Sequence, residues 1–333
     1  MRDQLLTIFG GSGFIGRHVV REAAKRGYRV RAAVRKPHLA HFLRPLGDVG
    51  QIQIVQANLR HRASIAEAVK GADAVVNLVG ILHQAGRPHF MPVNGEAFFA
   101  VHAQGARNIA ELAAAAGASR FVHVSAIGAD PASPSLYARS KAEGERLVRE
   151  AFPDAVVLRP SIVFGPKDEF FNRFASMARL SPALPLIGFG KTKFQPVYVD
   201  DVADATCAAL DQPETAGRTY ELGGPSVYSF RELMELMLSV IERRRWLAPV
   251  PFPVAGLIGL AGQTLGRLAP GGPPLTEDQV ALLKRDNVVG ADGEENTGRI
   301  EDLGVRPQTV EAILPTYLER FRRYGQFEPN RVG

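Results

Sequence analysis

The chain has 333 residues, 46% hydrophobic and 22% charged, with a net charge of +6 and one cysteine, Cys207. That length and balance support a large packed core and exclude wholesale disorder, and a single cysteine excludes any internal disulfide or cysteine-based metal cluster. The basic surplus falls in small clusters, at Arg29, Arg31, Arg35 and Lys36, at Arg243 to Arg245, and at Arg320, Arg322 and Arg323. No aromatic–basic stripe accompanies them, so they point to a dinucleotide phosphate or an anionic membrane surface and away from nucleic acid. The histidines, among them His83, His89, His102 and His123, lack H-x-x-x-H or H-E-x-x-H spacing, so no metal is expected.

In chain order, the apolar run Leu5 to Phe9 predicts a strand that breaks into Gly10-Gly11-Ser12-Gly13-Phe14-Ile15-Gly16, with a helix beginning near Phe14. Glycines at 10, 13 and 16 permit a sharp turn, close approach of a pyrophosphate, and tight helix–strand packing. The helix N-terminus then offers N–H groups and a positive dipole end to the phosphates. Further strands are expected at Arg29 to Val34, Ile52 to Gln56, Ala74 to Val79, Phe121 to Ser125 and Ala155 to Arg159. Helices are expected at Ile15 to Arg26, Arg62 to Val69, Phe98 to Ala116 and Leu136 to Glu150. Gly27, Gly71 and Gly117 mark helix ends. This alternation predicts an α/β fold, a Rossmann-type doubly wound parallel sheet with a smaller C-terminal lobe.

The dinucleotide-binding domain is expected over residues 1–171, with 194–210 returning to it as a strand (Phe194 to Val199) and a helix (Asp201 to Leu210). The smaller lobe takes 172–193 and 211–333. Within it, Leu247 to Ala261 carries no charge, follows Arg243-Arg244-Arg245-Trp246, and is too short to span a bilayer. It reads as a packed helix or as an interfacial anchor. No signal peptide or arginine-rich presequence is visible before the first strand, so either a mature form or a cytoplasmic protein is expected, the latter peripheral on the cytoplasmic face of the inner membrane.

Chemistry is concentrated at Tyr137-Ala138-Arg139-Ser140-Lys141. Residues four apart share a helix face, so phenol and ammonium can meet over one site. The cation favours the phenolate, and the pair suits proton transfer at a carbinol while a hydride moves at the neighbouring carbon. The second strand, Val30 to Lys36, has no carboxylate to accept a ribose diol. Arg35, supported by Arg17 and Lys36, is placed to pair with a 2′-phosphate, predicting NADP(H) over NAD(H).

These features resemble the short-chain dehydrogenase/reductase superfamily in its extended or atypical branch. The resemblance rests on Gly10, Gly13 and Gly16, on Asn77-Leu78-Val79-Gly80, on Tyr137 and Lys141, on Leu158 to Gly165, and on Pro196 to Ala203. It implies a cofactor cradle of Gly10, Ser12, Gly13, Phe14, Ile15, Gly16 and Arg17 with Leu78, Val79, Gly80, Tyr137 and Lys141. It also implies that Asn58 and Leu59 border the adenine and that Pro160, Ile162 and Val163 run along the nicotinamide. Ser125, with Tyr137 and Lys141, completes the candidate catalytic set. Two positions depart from the pattern: the family serine is often one place later, at Ala126, and a common asparagine in the helix after the fourth strand is His102.

His123-Val124-Ser125, Lys141 to Glu145, Phe171 to Met177 and Gln195 to Val199 narrow the resemblance to one atypical group. It comprises the nucleotide-binding accessory subunits of respiratory complex I and their bacterial relatives. That likeness implies an NADP(H)-binding accessory or assembly factor of complex I or of a quinone-linked membrane complex. The other reading is an active NADP-dependent reductase, epimerase or dehydratase using the Tyr-Lys dyad, within ubiquinone metabolism.

Overall fold

Leu5–Phe9 (β1) is apolar on both faces and almost wholly buried, as a central parallel strand requires. The computed structural model describes residues 3–81, 96–257, 277–291, 293, 297–323 and 325. In chain order, β1 is followed by Phe14–Lys25 (α1), Arg29–Val34 (β2), Ile52–Gln56 (β3), Arg62–Val69 (α2) and Ala74–Asn77 (β4). Then come Glu96–Phe98 (α3), a π-helical stretch Phe99–Gly105, Ala106–Ala115 (α4), Arg120–Val124 (β5), Leu136–Ala151 (α5) and Val156–Pro160 (β6). The six strands expected from the sequence are all present, within two residues of the expected ends.

They form one sheet in the order β3-β2-β1-β4-β5-β6, all parallel. Chain growth proceeds outward from β1 to β3, then reverses to the other side of β1 with β4. That reversal is the topological switch point of a doubly wound sheet, where a crevice opens at the carboxyl ends of the strands. One face is covered by α2, α4 and α5, whose Ile65, Ile109, Ala113 and Val148 pack with Phe9, Val75 and Phe121.

Two compact units divide the chain. The first holds residues 1–160, 199–222 and 292–306; the second holds 161–198, 223–291 and 307–333. Division thus falls after Pro160 rather than at 171, because Ser161 and Ile162 are held inside the second unit. Asn287 Oδ1 accepts from Ser161 Oγ at 2.6 Å and from the Ile162 amide at 3.0 Å. The second unit begins with Val163–Phe164 (β7), Phe171–Leu180 (α6), Ala183–Ile187 (β8), Lys193–Phe194 (β9) and Val197–Tyr198 (β10).

The expected strand Phe194 to Val199 is therefore corrected. Pro196, which has no N–H to donate to a ladder, separates two short strands. β10 pairs with β7, and β9 pairs with Tyr228–Ser229 (numbered β12 below), all within the second unit. The expected helix does return to the first unit, as Val199–Asp211 (α7), and it packs on α1 through the pair Arg26–Asp211 at 3.1 Å. Two strands that the sequence did not announce, Thr219–Leu222 (β11) and Gly298–Arg299 (β14), extend the sheet beyond β6 to eight strands.

The second unit continues with β12, Phe230–Val240 (α8) and Trp246–Val250 (β13). Its core is aromatic: Phe164, Phe171, Phe194 and Phe230 pack with Leu233 and Met237. The uncharged stretch from Leu247 starts as a strand, β13 pairing parallel with β8, rather than as a helix. Pro249, Pro251 and Pro253 are the reason, since proline removes helical N–H donors. Residues 252–257 turn helical, and 258–261 lie outside the described residues.

Candidate dinucleotide site

The glycine turn follows β1 at the switch point. Gly10 adopts a positive φ of 83°, and its amide is held by the Ala33 carbonyl at 3.1 Å. Helix α1 then crosses so closely that a Cβ on Gly16 would stand 2.1 Å from the Gly10 oxygen, which is why no larger residue fits. No side chain caps α1 at Gly13, and its first turn holds no acid. Its leading N–H groups and positive dipole end therefore remain available to an anion.

The exit of β4 is drawn onto this turn. A Cβ on Gly10 would meet the Leu78 carbonyl carbon at 3.3 Å and a Val79 methyl at 3.4 Å. The Val79 amide donates to Asn77 Oδ1 at 3.1 Å, which bends the chain away from the sheet. Gly80 comes next, and a Cβ there would lie 3.4 Å from Lys141 Nζ. Residues 10, 78–80 and 141 thus meet at one place.

Tyr137 and Lys141 are set by the start of α5. Ser135 caps it, its hydroxyl accepting from the Ala138 amide at 3.2 Å, so Tyr137 and Lys141 fall on its first turns. The ammonium sits 6.0 Å from the Tyr137 ring centroid and donates to the Val124 carbonyl at 3.2 Å. Burial pushes the Lys141 pKa down to about 8, with Glu145 acting the other way. Glu145 itself is committed to a buried pair: Arg159, at the end of β6, donates to it through Nε at 3.0 Å and Nη2 at 2.7 Å.

Two histidines lie in this polar layer, and the sequence signalled only one of them as a departure. His102 is 1% exposed within the π-helical stretch, and His123 is 1% exposed on β5. Desolvation first, and then the nearby Lys141 charge, drives both below the usual range, to about 2 and about 3. Asn77 Oδ1 is taken by Val79, so its amide nitrogen is the donor to His123 Nδ1 at 3.2 Å. That leaves the proton on His123 Nε2, which has no partner among the described residues. Ser125 is 4% exposed, and its Oγ is enclosed and unpartnered too, whereas Ala126, one place later, is partly exposed.

The remaining candidate residues are distributed unevenly. Arg17 folds back over its own turn, donating to the Gly13 and Ser12 carbonyls at 3.2 and 3.4 Å, with its guanidinium 5.0 Å from the Phe42 ring centroid. Arg35 and Lys36 are exposed at the end of β2, and no carboxylate stands on that strand. Asn58 closes its own turn by accepting from the Arg60 amide, and Leu59 packs against Gly105. Pro160 ends β6 beside the 125–127 loop, accepting from the Ile127 amide at 3.0 Å, while Ile162 and Val163 belong to the second unit. An unoccluded helix N-terminus, a glycine-lined crevice and a buried ammonium suit a dinucleotide. No group of metal-ligating side chains occurs among the described residues.

Comparison with known proteins agrees with this geometry. Residues 6–223 match the model of the NAD dependent epimerase/dehydratase family. The chain is 34% identical over 328 residues to the mitochondrial NADH dehydrogenase [ubiquinone] 1 alpha subcomplex subunit 9 of Arabidopsis thaliana, covering 96% of this chain and 78% of that protein. The Mus musculus protein of the same name is 35% identical over 320 residues, covering 96% and 80%. Among solved structures, a dTDP-glucose 4,6-dehydratase of Streptomyces venezuelae with NAD and TYD bound superposes with a TM-score of 0.72. It is 22% identical and covers 98% of this chain and 99% of that chain.

Proposed function

Because the chain belongs to the NAD-dependent epimerase/dehydratase family, alongside the alpha subcomplex subunit 9 proteins, we propose that it is an accessory or assembly subunit of a complex I-type or quinone-linked membrane complex that holds NADP(H) as a structural ligand. The observation that supports this reading is a glycine-lined convergence suited to a dinucleotide beside an enclosed hydroxyl. Gly10 to Gly16, Leu78 to Gly80 and Lys141 converge, yet Ser125 Oγ is shut inside and Ala126 takes the more open position. A ligand bound this way stabilises the native state by mass action without turning over.

Arg35 and Lys36, exposed where a ribose-binding acid would stand, favour the 2′-phosphate of NADP(H). In the second unit, Arg245, Arg179 and Arg323 all press on Arg243 electrostatically, and the neighbouring Trp246 is 69% exposed. That basic, aromatic-edged patch suits peripheral attachment to anionic lipid on the cytoplasmic face of the inner membrane. No helix among the described residues is long and apolar enough to cross a membrane.

The test is a native-gel separation of gently solubilised membranes carrying a tagged version of the protein. Co-migration with NADH dehydrogenase activity is expected, and mass spectrometry of the released nucleotide should identify NADP(H). Migration as a free small species overturns the accessory role. One observation favours a second reading, an active NADP-dependent reductase, epimerase or dehydratase: Lys141 is lowered to about 8 beside Tyr137. Under that reading Tyr137→Phe abolishes function; under the accessory reading it leaves assembly intact.

A further inference from the structure

We infer that His102 is a positioning residue that ties the β4 exit loop to helix α5 through a closed hydrogen-bond chain, one that holds Gly80 and Tyr137 in place and conducts no proton. The chain can be followed atom by atom. The Ile81 amide donates to His102 Nε2 at 2.9 Å, so that nitrogen carries a lone pair and the ring proton sits on Nδ1. His102 Nδ1 is 2.8 Å from Ser140 Oγ. The serine hydroxyl donates its single proton to the Tyr137 carbonyl at 2.8 Å, so Oγ accepts from the imidazole.

The run therefore starts on a backbone N–H and ends on a backbone C=O. A proton relay needs an exchangeable acid at one end and a base at the other. An amide is neither near neutral pH, so moving a proton along this run would leave a charged peptide group at one end. The ring is fixed in other ways as well. It stacks on Phe98 at 5.7 Å between centroids and meets the Tyr137 ring edge-on at 5.4 Å. Its own carbonyl presses on α5, since a Cβ on Gly144 would lie 2.1 Å from the His102 oxygen.

Among the described residues, the charged and titratable groups facing the imidazole are Lys141 and Tyr137 on α5 and His123 on β5, and the Lys141 ammonium opposes a second proton on it. The π-helical stretch Phe99–Gly105 sets the ring between loop and helix, a use of the π-bulge found repeatedly at functional sites. In the family resemblance this position is commonly asparagine. An imidazole is larger and has two opposed nitrogens, so one residue reaches a backbone amide on one side and a hydroxyl on the other.

The tautomer can be read directly. In protein labelled with 15N-histidine, long-range 15N–1H correlations should show His102 protonated at Nδ1 and bare at Nε2, unchanged from pH 5.5 to 8.5. His123 serves as an internal control, because its partners require the opposite tautomer. A His102 signal protonated at Nε2, or one that titrates in that range, overturns the inference.

The positioning role rests in addition on the dinucleotide reading, and is tested by nucleotide affinity measured through reduced-nicotinamide fluorescence. His102→Leu removes the acceptor and strands the partly buried Ile81 amide, so binding should weaken at least about tenfold. His102→Asn restores an oxygen acceptor and should stay within about threefold of the parent. Equal loss in both variants, or loss in neither, refutes the positioning role. Should His102→Leu fail to fold, Ser140→Ala removes the other anchor, and unchanged affinity there refutes it equally. Failure of the unaltered protein to bind NADP(H) or NAD(H) refutes the dinucleotide reading instead, and the tautomer measurement still decides whether the chain is closed.

Discussion

At the scale of single residues, the proposed choice between NADP(H) and NAD(H) depends on the first turn after β1 and the tip of β2. Arg17 is occupied with its own turn, and Arg35 and Lys36 stand exposed at the end of β2. On the proposed NADP(H) reading, Arg35→Glu should abolish the preference for NADP(H) over NAD(H) in competitive binding, and an unchanged ratio would remove the assignment. Lys141 carries a stability cost with a definite pH window. Its folded pKa lies near 8 against an ordinary value of 10.5, so below pH 8 both states are charged and the burial cost is complete. Between about 8 and 10.5 the folded protein has shed a proton that the unfolded chain keeps, and stability rises. Lys141→Met should raise stability at pH 7 by about 1–3 kcal/mol, flatten that rise, and weaken nucleotide binding. Urea titrations at pH 7 and 9.5 check it: a variant less stable than the parent at pH 7 contradicts the account.

At the scale of elements, α5 is held to the sheet by a buried charge pair. Glu145 and Arg159 are 5% and 7% exposed, so removing either one leaves the other buried without this partner. Glu145→Gln should cost about 3–5 kcal/mol, while the double change Glu145→Leu with Arg159→Met should recover most of it. A double-mutant cycle by chemical denaturation measures both, and simple additivity would mean that the pair is not coupled. Two arginines of the basic clusters also close helix ends. Arg245 Nε donates to the Ala178 carbonyl at 2.7 Å near the end of α6, and Arg322 Nε to the Val240 carbonyl at 3.0 Å at the end of α8. These contacts account locally for part of the basic clustering visible in the sequence.

For the molecule as a whole, acid sensitivity follows from the neutral histidine layer. In the folded state His102 and His123 refuse protons until about pH 2 and 3, whereas the unfolded chain takes them near 6.5. Stability is thus fully present above 6.5 and falls as pH drops through that value, by up to about 1.4 kcal/mol per pH unit for each histidine. Denaturation midpoints followed from pH 7 to 4.5 should decline less steeply in His102→Asn and in His123→Gln than in the parent. Curves parallel to the parent would show that the acid response lies elsewhere.

The sequence by itself determined the alternation of strands and helices, the glycine turn and the Tyr137–Lys141 face. Each depends on local rules: period-specific apolar patterning, backbone freedom at glycine, and the four-residue repeat of a helix. The tertiary structure alone decided the rest, because the deciding contacts join residues far apart in the chain. Two-residue β14 has no pattern of its own to read, and Pro196 turned an expected sheet strand into two short pairings elsewhere. His102 looked like a simple exchange for asparagine. Its tautomer and its hold on Tyr137 exist only because Ile81 and Ser140 arrive on opposite sides of its ring. Burial likewise lowered Lys141 and both histidines, and desolvation depends on everything packed around a group rather than on its neighbours in sequence.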